Sequence, residues 1–319
     1  LNRDLRTAPF AADEGLFRDG ETSVSSIVET LGGGGANSAC AAAALGAQAT
    51  LLAKVGADAL GRRLQETLYR HGVRTALARD PVQPTGTSLG LTFASGQRHF
   101  LSSLPASRAL AFADLDLAAL AGHEHLLRAD IWFSDAMLFD GNKRLMQAAR
   151  QAGMATSIDL NWDPSWGHLS AAASAARKRA VQAVLPWVDL AHGNTRELTE
   201  FAEAPDLETA LQRLRDWGAG AVVVHLGAQG AGYYDPQGLL TVEPPVPAAR
   251  HVQATGTGDV LSVCMMLQHS QAGLSIRQRL RLANTVVAQY IEGRRAMVPP
   301  LAEPAARSRS ATGAEAPGG

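Results

Sequence analysis

The stretch "HVQATGTGDVLSVCMML", His251 to Leu267, places Gly256, Thr257 and Gly258 directly before a carboxylate, Asp259, and an apolar run. Glycines let a backbone turn tightly and approach a ligand, and a helix starting there offers N–H groups with no partner in the helix. Consecutive N–H groups of a Gly-x-Gly turn form a nest for an anion, and the helix dipole adds to it. A carboxylate beside such a nest is placed to act as a base. The same residues also fit a plain helix start with Asp259 as its cap. Taken alone, the stretch leaves both readings open.

A second glycine run, "LGGGGANSACAAAALGA" from Leu31 to Ala47, leads into a helix of Ala, Ser and Cys. Its small side chains let that helix lie close to a sheet, and its start is a further anion or ligand site. A flexible loop with a tightly packed helix is the plainer reading. A dinucleotide site needs Gly-x-Gly-x-x-Gly directly after the first strand and an acid about 20 residues on, a spacing this run fits poorly. In "NTRELTE", Asn194 and Glu197 share one helical face if the segment is helical. That pair also has the form of a capping box.

These motifs need a scaffold, and strand-like and helix-like segments alternate through most of the chain. "ATLLAKVG" (49–56) and "ADIWFSD" (129–135) read as strands, followed by helices around 58–70 and 142–151. "MATSIDLN", "WVDLAHGN" and "AVVVHLG" read as further strands with helices between them. The alternation predicts an α/β fold with a doubly wound, mostly parallel sheet. "TSLGLTFASGQRHFLS" (87–102) breaks the rhythm as two strands around a Ser95–Gly96 turn, and "SVSSIVETL" (23–31) is a further strand candidate. Both suit a small β lid outside the parallel sheet.

The bulk numbers exclude several classes. With 29 Lys+Arg against 30 Asp+Glu, no basic excess points to nucleic acid. Cys40 and Cys264 lie far apart, without metal spacing, and read as small core residues. No apolar run reaches the roughly 18 residues that span a bilayer, and "LNRDLRTAPF" shows no secretion signal. The expectation is a soluble cytoplasmic protein. Rich in Pro, Ala, Gly and Ser, residues 301–319 are expected to be a disordered tail on a single domain spanning 1–300.

Taken together and in order, these motifs resemble the ribokinase, or pfkB-type, carbohydrate kinase family. "GGGGANSACAAAALGAQATLLAKVGADALGRRLQETLYRHGV" resembles its first signature and "ATGTGDVLSVCMM" its second. "PTGTSLGLTF", "GQRHFL", "DLNWDPSW", "NTRELTE", "VVVHLGAQGA" and "LANTVVAQYIEG" match in between or after, in the family's order. The resemblance implies a ribokinase-like fold with lid strands from about 16–31 and 86–102. It implies ATP-dependent phosphorylation of a hydroxyl, with ATP and Mg²⁺ as cofactors. Asp259 would be the base, and the N–H groups of Gly256, Thr257 and Gly258 the anion hole. Asp4, Gly33 and Asn37, with Asp159 and Asn161 of "DLNWD", would bind the sugar. Asn194 and Glu197 would organise Mg²⁺ through water, and Gly227, Gly230 and Asn284 would line the nucleotide. A small sugar-like molecule is the expected partner, and a homodimer through the lid the expected assembly. The alternative is a non-catalytic sugar- or nucleotide-binding relative.

Four departures from the family pattern refine this. Gln253-Ala254 stands where the second signature opens with Asp-Thr, and Arg295-Ala296 where Gly-Ala is expected; both argue against a K⁺ site. Gly34 replaces a ribokinase-like lysine. Asp163 replaces the arginine of an Asp-x-Asn-x-Arg segment, which argues for a neutral sugar, polyol or nucleoside over a sugar acid. Trp162 and Trp166 would either stack on a sugar ring or pack the surface. Finally, "LNRDL" resembles the end of the family's first strand, so either a central strand is absent or the start is misassigned.

Overall fold

The computed structural model describes residues 2–6, 26–92, 98–251, 255–269 and 273–294. The main sheet has six strands: β7 (His125–Arg128), β8 (Ala155–Asp159), β9 (Leu190–Asn194), β10 (Ala221–His225), β11 (Ala231–Tyr234) and β12 (Leu240–Glu243). The four strands β7 to β10 run parallel in sequence order, and β11 and β12 add an antiparallel edge. Along β10, residues alternate between two buried layers, as the period of a strand requires. Val222 and Val224 pack against α4 (Asn142–Gln151), α5 (Ala171–Gln182), α6 (Thr195–Ala202) and α7 (Leu207–Asp216). Ala221 and Val223 pack on the other face against α1 (Gly34–Ala44), α8 (Thr257–Leu267) and α9 (Ile276–Ile291). Each fully buried Val or Leu contributes about 1.5–3 kcal/mol, so both faces of the sheet must be covered. This is the doubly wound, mostly parallel architecture that the strand–helix alternation predicts. Cys40 and Cys264 are buried thiols, one on α1 and one on α8.

A separate parallel ladder joins β3 (Thr50–Gly56) to β4 (Arg74–Asp80), with α2 (Ala59–Arg70) between them in sequence. Among the described residues, no strand pairs with the free edge of β3 or of β7. A cavity of about 260 Å³ is lined by residues from both sides of that break, among them Leu51, Ala53, Arg128 and Ala129. The lid is a four-stranded sheet in the order β2 (Ser26–Thr30), β1 (Asn2–Arg6), β5 (Thr87–Thr92), β6 (Arg98–Ser103). Here β1 runs parallel to β5 and antiparallel to β2. The Ser95–Gly96 turn, residues 16–25 and residues 301–319 lie outside the described residues.

One strand differs from expectation. The segment 129–135 is not a strand; the strand precedes it, at His125–Arg128. Asp130 has φ 55°, in the left-handed region, which ends the extended run. Ile131 and Trp132 are buried all the same, packed as a turn in the core beside Ile158 and Leu160. An apolar run reports burial here and not strand geometry.

Candidate active site

Helix α8 begins on Gly256, whose φ of 86° only glycine adopts without strain. Asp259 lies in its first turn. Helix α1 begins in the same way, on Gly33 at φ 96°. The small faces of the two helices let them pack against each other, and this brings Asn37 of α1 to Asp259. Asn37 Nδ2 donates to Asp259 Oδ2 at 2.8 Å. The Oδ1 atom of Asn37 is buried and has no hydrogen-bond partner among the described residues.

A second carboxylate faces the same gap. Asp130 accepts from the N–H groups of Gly34 and Gly35. A Cβ on Gly34 would stand 3.3 Å from Asp130 Oδ1 and 3.4 Å from Asp259 Oδ1. Gly34 therefore keeps open the space between the two acids. Burial pushes the Asp259 carboxyl up to about 7, against the Asn37 hydrogen bond and with help from Asp130 and Glu197. A carboxylate poised near neutrality suits a general base.

Below Asp259 lies a polar layer at the carboxyl ends of the strands. Asp159, at the end of β8, is 2 % exposed, and burial followed by the nearby Asp259 and Glu197 holds its pKa well above the carboxylate range. Its Oδ2 lies 3.3 Å from Ser262 Oγ. Ser262, one turn along α8 from Asp259, also meets His225 Nε2 at 3.2 Å. The other edge of the His225 ring faces α8: a Cβ on Gly258 would stand 3.2 Å from Nδ1. Binding at the carboxyl ends of parallel strands is the rule for open α/β sheets.

Asn194 and Glu197 form a reciprocal capping box. Asn194 Oδ1 accepts from Glu197 N–H at 2.9 Å, and Glu197 Oε2 from Asn194 N–H at 2.8 Å. The cap occupies one oxygen of Glu197 and orients the other. Burial raises the Glu197 pKa. Gly227 has φ 58° and an open surrounding, while Gly230, at φ 96°, would drive a Cβ to 2.2 Å from Glu243 O. Asn284 Nδ2 donates to the carbonyls of Glu243 and Pro244, which ties α9 to the chain after β12.

The model of the pfkB family carbohydrate kinases matches residues 7–302. The chain belongs to the pfkB family. A D-beta-D-heptose 7-phosphate kinase of Bordetella bronchiseptica is 28% identical over 262 residues, 79% of this chain and 76% of its own length. A 2-dehydro-3-deoxygluconokinase of Thermoproteus tenax is 28% identical over 270 residues, again 79% of this chain and 76% of its own. Among solved structures, a fructokinase with bound ATP from Xylella fastidiosa superposes with a TM-score of 0.75 at 20% identity, covering 92% of this chain and 91% of its own. A ribokinase from Thermotoga maritima reaches 0.71 at 18% identity, covering 94% and 93%. At such identities the structural likeness establishes the pfkB fold.

The structure sorts the residues expected from the pfkB motifs. Gly33, Asn37, Gly256, Thr257, Gly258 and Asp259 come together at the two glycine-started helices. Asp4 lies on β1, opposite Val28 and Gly90, and its side chain is outside the described part. Asp159 is enclosed beneath Asp259, and Asn161, half-buried at φ 42°, uses Oδ1 to accept from Asp130 N–H at 2.9 Å. Asp163 is fully buried and accepts from Arg177 Nε at 2.7 Å, so it faces α5 and not a ligand. Trp166 is buried against Trp132 and Trp162, and Arg196 covers the Trp162 ring at 3.9 Å. The tryptophans therefore pack against protein. Gln253, Ala254, Arg295 and Ala296 lie outside the described residues. Sequence reading missed Asp130 and His225. The signal for Asp130 was an acid at a strand's carboxyl end, hidden by extending the strand through it.

Proposed function

We propose that this pfkB chain transfers the terminal phosphoryl group of ATP to a hydroxyl of a small neutral sugar, polyol or nucleoside. The observation that carries the reading is Asp259: a carboxylate near neutral pKa, held by Asn37, in the first turn of a helix that starts on glycine. Asp259 takes the proton of the attacking hydroxyl as its oxygen bonds to phosphorus and ADP leaves. The N–H groups of Gly256, Thr257 and Gly258 meet the charge on the transferred group. Asn37 Oδ1 and Asp130 supply acceptors for hydroxyl donors on the sugar.

An amide and a carboxylate oxygen on one helical turn, Asn194 and Glu197, suit a hard cation that keeps most of its waters. Among the described residues no group of three or more His, Cys, Asp or Glu could hold a metal. The fit is therefore to Mg²⁺ held chiefly by phosphates and water. Bound there, Mg²⁺ would neutralise phosphate charge; the capping box fixes the two side chains that would meet its waters. Preference for a neutral substrate now rests on Asp130 and Asp259, two acids facing the acceptor site, rather than on Asp163.

The test is ADP release with Mg·ATP over a panel of sugars, polyols, nucleosides and sugar acids. The reading expects turnover with a neutral acceptor and none with sugar acids. Binding without turnover across the panel would instead support a non-catalytic relative.

A further inference from the structure

The His225 ring, which the pfkB reading leaves unused, stands between Ser262 and Gly258 of α8. Its Nε2 edge meets Ser262 Oγ at 3.2 Å, and that oxygen lies 3.3 Å from Asp159 Oδ2. Its Nδ1 edge lies against Gly258, in the first turn of α8, and has no hydrogen-bond partner among the described residues. The ring is half-buried at the end of β10, level with Asn194 on β9. A neutral imidazole has one donor nitrogen and one acceptor nitrogen, and the partner on one side decides which is which.

We propose that His225 donates from Nδ1 to the phosphoryl group held at Gly258, and that Asp159 and Ser262 are positioning residues that fix the ring in the tautomer able to do so. The inference rests on the phosphoryl-transfer reading above. Two proton arrangements fit the distances. In one, Ser262 O–H donates to an ionised Asp159, the Ser262 oxygen accepts from Nε2–H, and Nδ1 is left a bare acceptor. That arrangement points a lone pair at an incoming anion. In the other, Asp159 carries a proton and donates it to Ser262, Ser262 O–H donates to Nε2, and Nδ1–H faces the anion hole.

The surroundings select the second. Asp159 is 2 % exposed and forms no ion pair among the described residues. Asp259, Glu197 and Asp130 all act on it as like charges. Ionising it would place a further charge among three other buried carboxyl groups, whereas as an acid it completes an unbroken row of donors. Burial also pushes the His225 pKa down to about 4, so near neutral pH the ring is uncharged and its tautomer matters. Gly258 makes the approach possible, since a Cβ there would stand 3.2 Å from Nδ1 and 3.5 Å from Cε1.

The test has two arms on the full chain. In the first, ¹⁵N-histidine labelling and long-range ¹H–¹⁵N spectra report the tautomer, with the His225 signals assigned by their loss in His225→Asn. The expected result is Nδ1–H in the wild type, a switch to Nε2–H in Ser262→Ala, and a shift of Nδ1 on adding a non-hydrolysable ATP analogue with Mg²⁺. In the second, His225→Gln, whose amide reaches the Nε2 position, should lose about 10²-fold in kcat, the usual effect of removing one anion-hole donor. His225→Asn keeps a donor where Nδ1 stands and should recover much of that loss. An Nε2–H tautomer in the wild type, or equal turnover in the Asn and Gln variants, overturns the proposal. If the wild type phosphorylates nothing on the panel, the kinase reading fails and the tautomer arm still decides the proton arrangement.

Discussion

Helices α7 and α8 begin in opposite ways. Asp206 caps α7 with its own side chain, accepting from Thr209 N–H at 2.8 Å. The same solution serves α2 through Asp58, α5 through Ser170 and α9 through Ser275. Helices α8 and α1 begin instead on glycines with φ of 86° and 96° and, among the described residues, no capping side chain. A cap satisfies the first N–H groups from within the chain. A glycine start supplies no such side chain. In front of α1 stands the Asp130 carboxylate, and in front of α8 the proposed phosphoryl group. Asn194 of α6 belongs to both classes, since its cap also orients Glu197 toward the site. Among the described residues, α2, α5, α6, α7 and α9 are thus capped by side chains, whereas α1 and α8, which frame the proposed site, and the four-residue α3 (Pro105–Arg108) are not.

The largest effect should come from the glycine-started side. Asp259→Asn should lower kcat by roughly 10²–10⁴-fold, the range for a positioned general base, with the fold intact. Its stability should also change with pH. Burial raises the folded carboxyl to about 7, against an ordinary value of 3.8. Between those values the folded wild type holds a proton that the unfolded chain has released. Wild-type stability therefore falls as pH rises through that window, while the Asn variant is spared. Melting temperatures should show the variant's advantage growing up to about pH 7 and then levelling. A constant difference would place Asp259 outside the buried cluster.

Next is Gly256→Ala. A Cβ at φ 86° is strained by about 1–3 kcal/mol, and relieving the strain would turn the first N–H groups of α8. Turnover should fall with stability, measured by steady-state rates beside denaturant melts. Asp206→Ala is the contrast. Losing the α7 cap should cost about 1 kcal/mol with kcat unchanged, since the exposed Asp206 serves the start of α7 and none of the site residues. If the two variants lose activity alike, the distinction between the two kinds of helix start is wrong. The smallest expected effect concerns monovalent cations. With Gln253 in place of an aspartate, initial rates in Na⁺, K⁺ and tetramethylammonium chloride at equal ionic strength should agree, and a several-fold rise in K⁺ alone would contradict this.

Local signals in the sequence were read well. The Gly-Thr-Gly-Asp run, the Asn-x-x-Glu spacing and the alternation of β8 to β10 with helices each depend on neighbours within a few residues, and the structure keeps them. Long-range pairings were not legible. Asp163 looked like a substrate-facing acid because nothing in "DLNWDPSW" reveals that Arg177, on a helix further on, will bury it. Asp130 was lost because the apolar Ile131 and Trp132 continue the strand pattern past the residue whose positive φ ends it. His225 sat inside a clean strand motif, and only the packing of Gly258 and Ser262 of α8 against β10 gives its two nitrogens different surroundings.

The most direct measurement is the pH profile of kcat/KM for the best neutral acceptor, taken for the wild type and Asp259→Asn on the same preparations. A base must be deprotonated to act, so the wild-type rate should climb with unit slope below about pH 7, where the Asp259 carboxyl titrates, and level above it. The Asn variant should be slow and lack that limb. A limb of the same position in both proteins, or a variant as fast as the wild type, would contradict the assignment of Asp259 as the base.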